Sequence, residues 1–373
     1  MNMRFRPHSL RHFVDKLLLR RYDYHICDQL RHICTLSQDK PEVKLFTAEA
    51  QSGTAPLFQK YLAALKYIGK IYMKHRKQIQ NSPDLPISTP PIGLYEKALP
   101  SKYSWEQRLI ETNKAGFAFL EMSIDESEGR IARLDWSQVQ RRELVYLSQD
   151  LDTPIKSLSL STHRRYSLGS TDQKTRETGM DYLKKSIGFA LDLGIRTILL
   201  AGCDVYYEES TPQTQDQFIN SLTRAVALAE SAQIMLALEN WDKSIDSLTT
   251  VMEYVNLFQS PWFQAYADIG NLAYAGKDVI KELEIAQGHI AALHVKDTLP
   301  GQLRFVAPGN GCVPFVQAFR TLKKNKYHGS IVLELWTGDR PNPVELIRNS
   351  YNWIRDKLLA AEFTGPERSN TGE

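Results

Sequence analysis

Residues 234–270 read IMLALENWDKSIDSLTTVMEYVNLFQSPWFQAYADIG. This stretch opens and closes on short apolar runs, IMLALEN (234–240) and FQAYADIG (263–270). Between them the spacing predicts a helix over 246–257. Each run reads as a β-strand with an acid near its end, Glu239 or Asp268. Strands that are almost wholly apolar belong to a parallel sheet covered on both faces.

The unit repeats in both directions. Downstream lie IAALHVKD (290–297) and IVLELW (331–336), which carry His294 and Glu334 near their ends. Upstream lie IGLYE (92–96), FAFLEMSI (117–124), IKSLSLS (155–161) and TILLAG (197–202). Further helices are predicted near 104–115, 137–150, 173–193, 213–231, 276–286, 314–325 and 343–360. Eight strands alternating with eight helices is the rhythm of an α/β protein of the (β/α)8 TIM-barrel class. In such a barrel the C-terminal strand ends converge on one mouth. Glu239, Asp268, His294 and Glu334 are therefore expected to meet there. Three carboxylates and one imidazole, with no thiolate, suit a single divalent metal ion: Mn, Mg, Co or Zn.

Composition narrows the alternatives. The chain has 373 residues, a net charge of +3 and 42% apolar residues. The charge is uneven: residues 1–90 hold 15 Lys+Arg against 7 Asp+Glu, and the rest is net acidic. Residues 1–90 are read as a basic, mainly helical or partly disordered N-terminal extension. It ends in a linker, NSPDLPISTPP (81–91), with four prolines. The barrel is expected over 91–363 and a disordered tail over 364–373. Four scattered cysteines suggest a reducing compartment, and no run is long enough to span a membrane. The reading is a cytoplasmic protein with no membrane or nucleic-acid partner. The repeated HIC of His25, Cys27, His32 and Cys34 is not a usual zinc-finger spacing.

A basic loop, HRRYSLGS (163–170), follows the third strand. His163, Arg164 and Arg165 are read as either a solvated loop or a phosphate-binding group, since guanidinium forks match phosphate oxygens. Lys296 is read as a contact to an anion or as a partner of a carboxylate. Gly309 and Gly311, in APGNGCVPF (307–315), make either a tight turn or a backbone cradle for an anion.

From Pro91 to about Phe363 the chain resembles the L-ribulose-5-phosphate 3-epimerases, also labelled L-xylulose-5-phosphate 3-epimerases or hexulose-6-phosphate isomerases, of the xylose-isomerase-like barrel superfamily. The resemblance rests on PIGLYEKALP (91–100), FLEMSIDE (119–126), RLDWS (133–137), HRRYSLGS (163–170), LAGCDVYYEE (200–209), DIGNL (268–272), HVKDT (294–298) and LELW (333–336). It implies a divalent ion on Glu239, Asp268, His294 and Glu334, with Glu239 and Glu334 as the acid/base pair. One glutamate would take the C3 proton of a 2-ketose, and the other would return one to the opposite face of a cis-enediolate. The implied substrate is a small sugar phosphate, bound through His163, Arg164, Arg165 and Lys296. A homodimer and a role in pentose or ascorbate utilisation are implied too. Around the first glutamate LALENWD departs from the family, and Ala267 stands where proline is usual. An aldose–ketose isomerase or a 3-epimerase of unphosphorylated ketoses shares the enediolate chemistry and is the nearest alternative. An endonuclease-IV-like repair enzyme would need many more histidines than the His163, His289, His294 and His328 of the barrel region.

Overall fold

The computed structural model describes residues 89–363 except Asp242, Asp339 and Pro341. The expected N-terminal extension with its HIC repeat, and the tail 364–373, lie outside the described residues.

Eight parallel strands close into a barrel: β1 (Ile92–Tyr95), β2 (Phe119–Ile124), β3 (Ile155–Leu160), β4 (Thr197–Ala201), β5 (Met235–Glu239), β6 (Phe263–Asp268), β7 (Ile290–Val295) and β10 (Ser330–Leu333). Closure comes from β10 pairing with β1, in the register Ile92↔Ile331 to Leu94↔Leu333. The principal outer helices are α1 (Trp105–Lys114), α3 (Gln138–Asp150), α4 (Gln173–Leu193), α5 (Pro212–Ala232), α6 (Leu248–Phe258), α8 (Val279–Ile285), α9 (Phe315–Lys324) and α10 (Pro343–Ala360). Short α2 (Glu128–Ile131) and α7 (Ile269–Tyr274) sit at the mouth ends of β2 and β6. The (β/α)8 expectation is met strand by strand.

Local sequence sets the helix ends. Ser104, Ser137 and Thr211 cap α1, α3 and α5 in reciprocal capping boxes. Gly194 ends α4 at φ +74°, a left-handed conformation that glycine adopts without steric cost. The strands are nearly all buried, because one face fills the barrel and the other meets the helices. Leu94, Leu120, Leu158, Leu238, Phe263 and Leu333 belong to one continuous core with α4, α5 and α10.

Two features differ from expectation. The helix expected over 276–286 is α8, capped by Asp278, and it is preceded by an unexpected short helix, α7, capped by Asp268. Beyond β7 the chain forms a hairpin, β8 (Asp297–Leu299) and β9 (Gln302–Val306), where no element was expected. Its alternation is short and half exposed, so it carries little apolar signal. Among the described residues no helix is long and apolar enough to cross a membrane.

A buried ion cluster ties the ends of β1 and β2 together. Glu96, fully buried after β1, accepts two bonds from Arg133 (2.6 and 2.8 Å) and one from the Ser123 N–H (2.8 Å). Arg108 and Arg130 lie 3.4 and 3.8 Å away. Burial pushes the Glu96 carboxyl up. The Arg133 bonds and charge, with Arg130 and the Ser123 N–H, outweigh burial and hold it below its ordinary 4.5. A lowered carboxyl stabilises the fold fully above its ordinary value, and that stability is lost as pH falls through the folded value. Glu96→Gln should therefore cost about 3–5 kcal/mol at neutral pH, as for one partner removed from a buried pair. Thermal melts of both proteins at neutral pH and below pH 4 check this: the gap should shrink in acid, and an unchanged gap would show that Glu96 is not ionised in the fold.

Candidate active site

The strand ends bring four side chains into one buried group. Glu239 and Asp268 close β5 and β6, His294 sits one residue before the end of β7, and Glu334 follows β10. One donor atom from each lies within 4.8 Å of all the others. His294 Nδ1 is 2.9 Å from Glu239 Oε1 and 3.3 Å from Glu334 Oε2. The quartet expected from the sequence is thus assembled at one place.

Backbone ties hold each member. Asp268 Oδ1 accepts the N–H groups of Gly270 (2.8 Å) and Asn271 (2.9 Å), which leaves Oδ2 pointing into the site. Asn240 bridges β5 to β6: its side chain accepts from Asp268 N (2.8 Å) and donates to Asp268 O (2.9 Å). Gly202, just past β4, lets the Glu239 carbonyl approach so closely that any Cβ there would collide with it.

The sequence reading missed Glu121. It lies inside β2, fully buried, with Oε1 2.6 Å from His294 Nε2. Its other oxygen accepts from Ser157 Oγ and Tyr266 Oη, both at 2.7 Å. An acid at the end of an apolar run stands out, and a glutamate in mid-strand gives no such signal.

Lys296 sits inside the group with 4% exposure, 2.9 Å from Asp268 Oδ2 and 3.0 Å from Glu334 Oε2. Its contact to Asp268 is an ion pair without hydrogen-bond alignment, so Oδ2 is left without a hydrogen bond. Of the two roles read for it, partner to carboxylates is the one seen. Burial pushes its ammonium down, but Asp268, Glu334 and Glu239 outweigh this and hold it above its ordinary value. Burial also pushes Glu334 up, yet Lys296 and His294 hold it well below the usual carboxylate range. In Glu239 burial wins over His294, and the carboxyl is raised.

The residues fit a divalent ion. When ionised, the four carboxylates (Glu121, Glu239, Asp268, Glu334) outnumber the two cations (His294, Lys296) by two. Ligand bonds of about 2.0–2.2 Å need donors within about 4.4 Å of each other, so the widest pair has to close by only a few tenths of an ångström.

Above the quartet opens a small cavity, walled by Tyr95, Trp241 and Trp336 and reached by Arg164 and Arg304. Arg164 lies over the Trp241 ring (4.7 Å to its centroid) and Arg304 over Trp336 (4.4 Å). Nε of each is buried without a hydrogen-bond partner. The Trp336 indole N–H donates to Glu334 Oε1 at 2.9 Å.

Other expected anion contacts fall elsewhere. The His163 ring is buried against α4, with Nε2 3.2 Å from the Gly179 carbonyl, and it does not line the cavity. Burial pushes it down to about 4, so it is neutral at pH 7. Arg165 is exposed and lies 5.5 Å from the Tyr166 ring centroid. The Gly309–Gly311 loop does cradle an anion, but it is the chain's own: Asp297 Oδ2 accepts both glycine N–H groups at 2.8 Å.

Comparison with known proteins agrees with this architecture. The family model for the xylose isomerase-like TIM barrel matches residues 109–357. The L-ribulose-5-phosphate 3-epimerase UlaE of Salmonella paratyphi A is 42% identical over 272 residues, covering 73% of this chain and 96% of that protein. The protein of the same name from Escherichia coli O1:K1 / APEC is also 42% identical over 272 residues, with the same coverage. Among solved structures, an L-ribulose 3-epimerase superposes with a TM-score of 0.60 at 18% identity (74% of this chain, 96% of that one). A D-psicose 3-epimerase solved in the presence of D-fructose superposes at 0.62 and 14% identity (72% and 99%). At these identities the two structures speak for the fold alone.

The quartet makes metal binding pH-dependent. Burial pushes the His294 imidazole down, but Glu121, Glu239 and Glu334 outweigh this and hold it well above its ordinary 6.5. An ion ligated by Nδ1 has to displace that proton. Affinity for Mn²⁺ should then rise with pH, by about tenfold per unit for one proton released. Calorimetric titration of chelator-treated protein between pH 6 and pH 8 measures it, and a flat profile would show that His294 carries no proton for the ion to displace.

Proposed function

The chain belongs to the L-ribulose-5-phosphate 3-epimerase family of xylose isomerase-like TIM barrels, and from that premise we propose that it interconverts L-ribulose 5-phosphate and L-xylulose 5-phosphate by inverting C3. The observation that carries the reading is the placement of Glu239 and Glu334. Both open on one cavity, from strands on different sides of His294, and each is within 3.3 Å of its Nδ1.

The C3 proton of a 2-ketose is acidic because its carbanion delocalises onto the C2 carbonyl. One glutamate takes this proton. The other returns a proton to the opposite face of the planar cis-enediolate, and the configuration inverts. A divalent ion on Glu239, Asp268, His294 and Glu334 would supply electrophilic polarisation of the carbonyl. The chain already separates the two acids: Glu334 is held ionised by Lys296, and Glu239 is raised by burial. Two carboxyls pushed apart in this way suit opposite proton roles. Tyr95, Trp241 and Trp336 wall the cavity and limit the water around the carbanion.

Arg164 and Arg304 provide for the phosphate. Both reach the cavity, and each keeps an unpartnered Nε–H. Stacking on tryptophan fixes the plane of each guanidinium before substrate arrives. His163 and Arg165 take no part in this version of the site.

Incubation with L-ribulose 5-phosphate and Mn²⁺ in D₂O, followed by NMR, tests the reaction. Deuterium at C3 together with L-xylulose 5-phosphate is expected, and exchange at C1 with an aldose product would replace epimerisation with isomerisation. Glu239→Gln and Glu334→Gln should each lower kcat by about 10²–10⁴-fold. Arg164→Ala and Arg304→Ala should raise KM for the phosphorylated ketose and leave turnover of unphosphorylated L-ribulose unchanged. An equal loss on both sugars would remove the phosphate role.

A further inference from the structure

Glu121 does not line the cavity, yet it makes the shortest contact to His294. Its oxygens are fully assigned: Oε1 to the imidazole, Oε2 to the hydroxyls of Ser157 and Tyr266. Both oxygens are thus engaged within the protein, and no solvent reaches them.

An imidazole that binds a metal through one nitrogen carries its proton on the other, and whatever accepts that proton chooses the nitrogen. Here Nε2 faces a single acceptor, Glu121, whereas Nδ1 faces the rest of the quartet. Two aromatic rings fix the plane: Tyr266 stands edge-on to the imidazole at 4.7 Å, and Tyr95 lies 5.7 Å away on a tilted approach. Tyr266 therefore both packs on the imidazole and donates to the carboxylate behind it.

We propose that Glu121 is a positioning residue for metal binding: it accepts Nε2–H of His294, commits Nδ1 to the ion, and makes Nδ1 a stronger donor by placing negative charge behind the ring. Ser157 and Tyr266 hold the carboxylate itself in line. The role rests on the metal-dependent reading above, and it assigns a function to a residue that touches neither substrate nor ion.

The test is calorimetric titration of Mn²⁺ into chelator-treated full-length protein, unaltered and as Glu121→Gln and Glu121→Asp. Glutamine keeps the shape but not the charge. Its expected effect is a loss of about 10–100-fold in Mn²⁺ affinity, typical of removing the carboxylate behind a ligating histidine. At saturating Mn²⁺ the KM for sugar should stay within about twofold, because the cavity wall is untouched. Aspartate, which restores the charge at longer reach, should recover part of the affinity, and it serves as the measured variant if glutamine does not fold. A merely structural role would lower the melting temperature of the metal-free protein and leave Mn²⁺ affinity unchanged in both variants, which would overturn the proposal. If the unaltered protein binds no Mn²⁺, Mg²⁺, Co²⁺ or Zn²⁺, the metal reading itself falls, and this role with it.

Discussion

Uncompensated charge is the constraint on which this structure turns. Three carboxylates are buried at the mouth of one barrel and a fourth, Glu121, within β2 behind His294, and the only cations among them are Lys296 and His294. A carboxylate removed from water costs several kcal/mol unless charge and hydrogen bonds repay it. Each cation is accordingly shared: Lys296 between Asp268 and Glu334, His294 between Glu121 and Glu239. The negative excess that remains is what a bound divalent ion would neutralise. Function and folding thus press on the same few atoms, since the arrangement that attracts an ion is the one that costs most without it.

Such a cluster holds its geometry only if its backbone cannot relax. The polar groups around it do this work. Asp268 caps α7 with one oxygen and keeps the other for the site. Asn240 extends the β5–β6 pairing past the last strand residue, and Asn271 Nδ2 donates back to Asn240 O at 2.9 Å. Asp297, two residues beyond the last strand residue of β7, gathers the N–H groups of Gly309, Gly311 and Val313 and so fixes the loop leading to α9. These residues at and just past the strand ends have interior partners, and they tie the mouth of the barrel together.

Much of this could be read from sequence, for identifiable reasons. Parallel strands covered on both faces appear as apolar runs, so all eight were visible, and acids at their ends stood out against them. What stayed hidden depends on direction. Glu121 sits in mid-strand, where alternation alone does not say which face it takes, and its partners Ser157 and Tyr266 are 36 and 145 residues away. Arg304 rides on a hairpin too polar to register as two strands. His163 and Arg165 are adjacent to Arg164 in sequence, but the turn after β3 sends the three side chains different ways: into α4, to solvent and into the cavity. The Gly309–Gly311 loop has the backbone of an anion site, and sequence could not say that Asp297 already fills it.

The unequal partnering of Glu239 and Glu334 gives the proposed reaction its polarity. Glu334 has Lys296, the Trp336 indole N–H and His294 within 3.3 Å. All three favour its ionised form. Glu239 shares only the imidazole, and burial, with Asp268 and Glu334 nearby, raises it. In the proposed reaction this difference would suit Glu334 to accept a proton and Glu239 to donate one. One turnover of the proposed reaction would reverse their protonation, and Lys296, which favours ionised Glu334, would help to restore it. A 3-epimerase works between two ketoses of similar energy, so neither direction can rely on a strong base. A built-in difference that resets after each cycle would suit such chemistry better than one strong base.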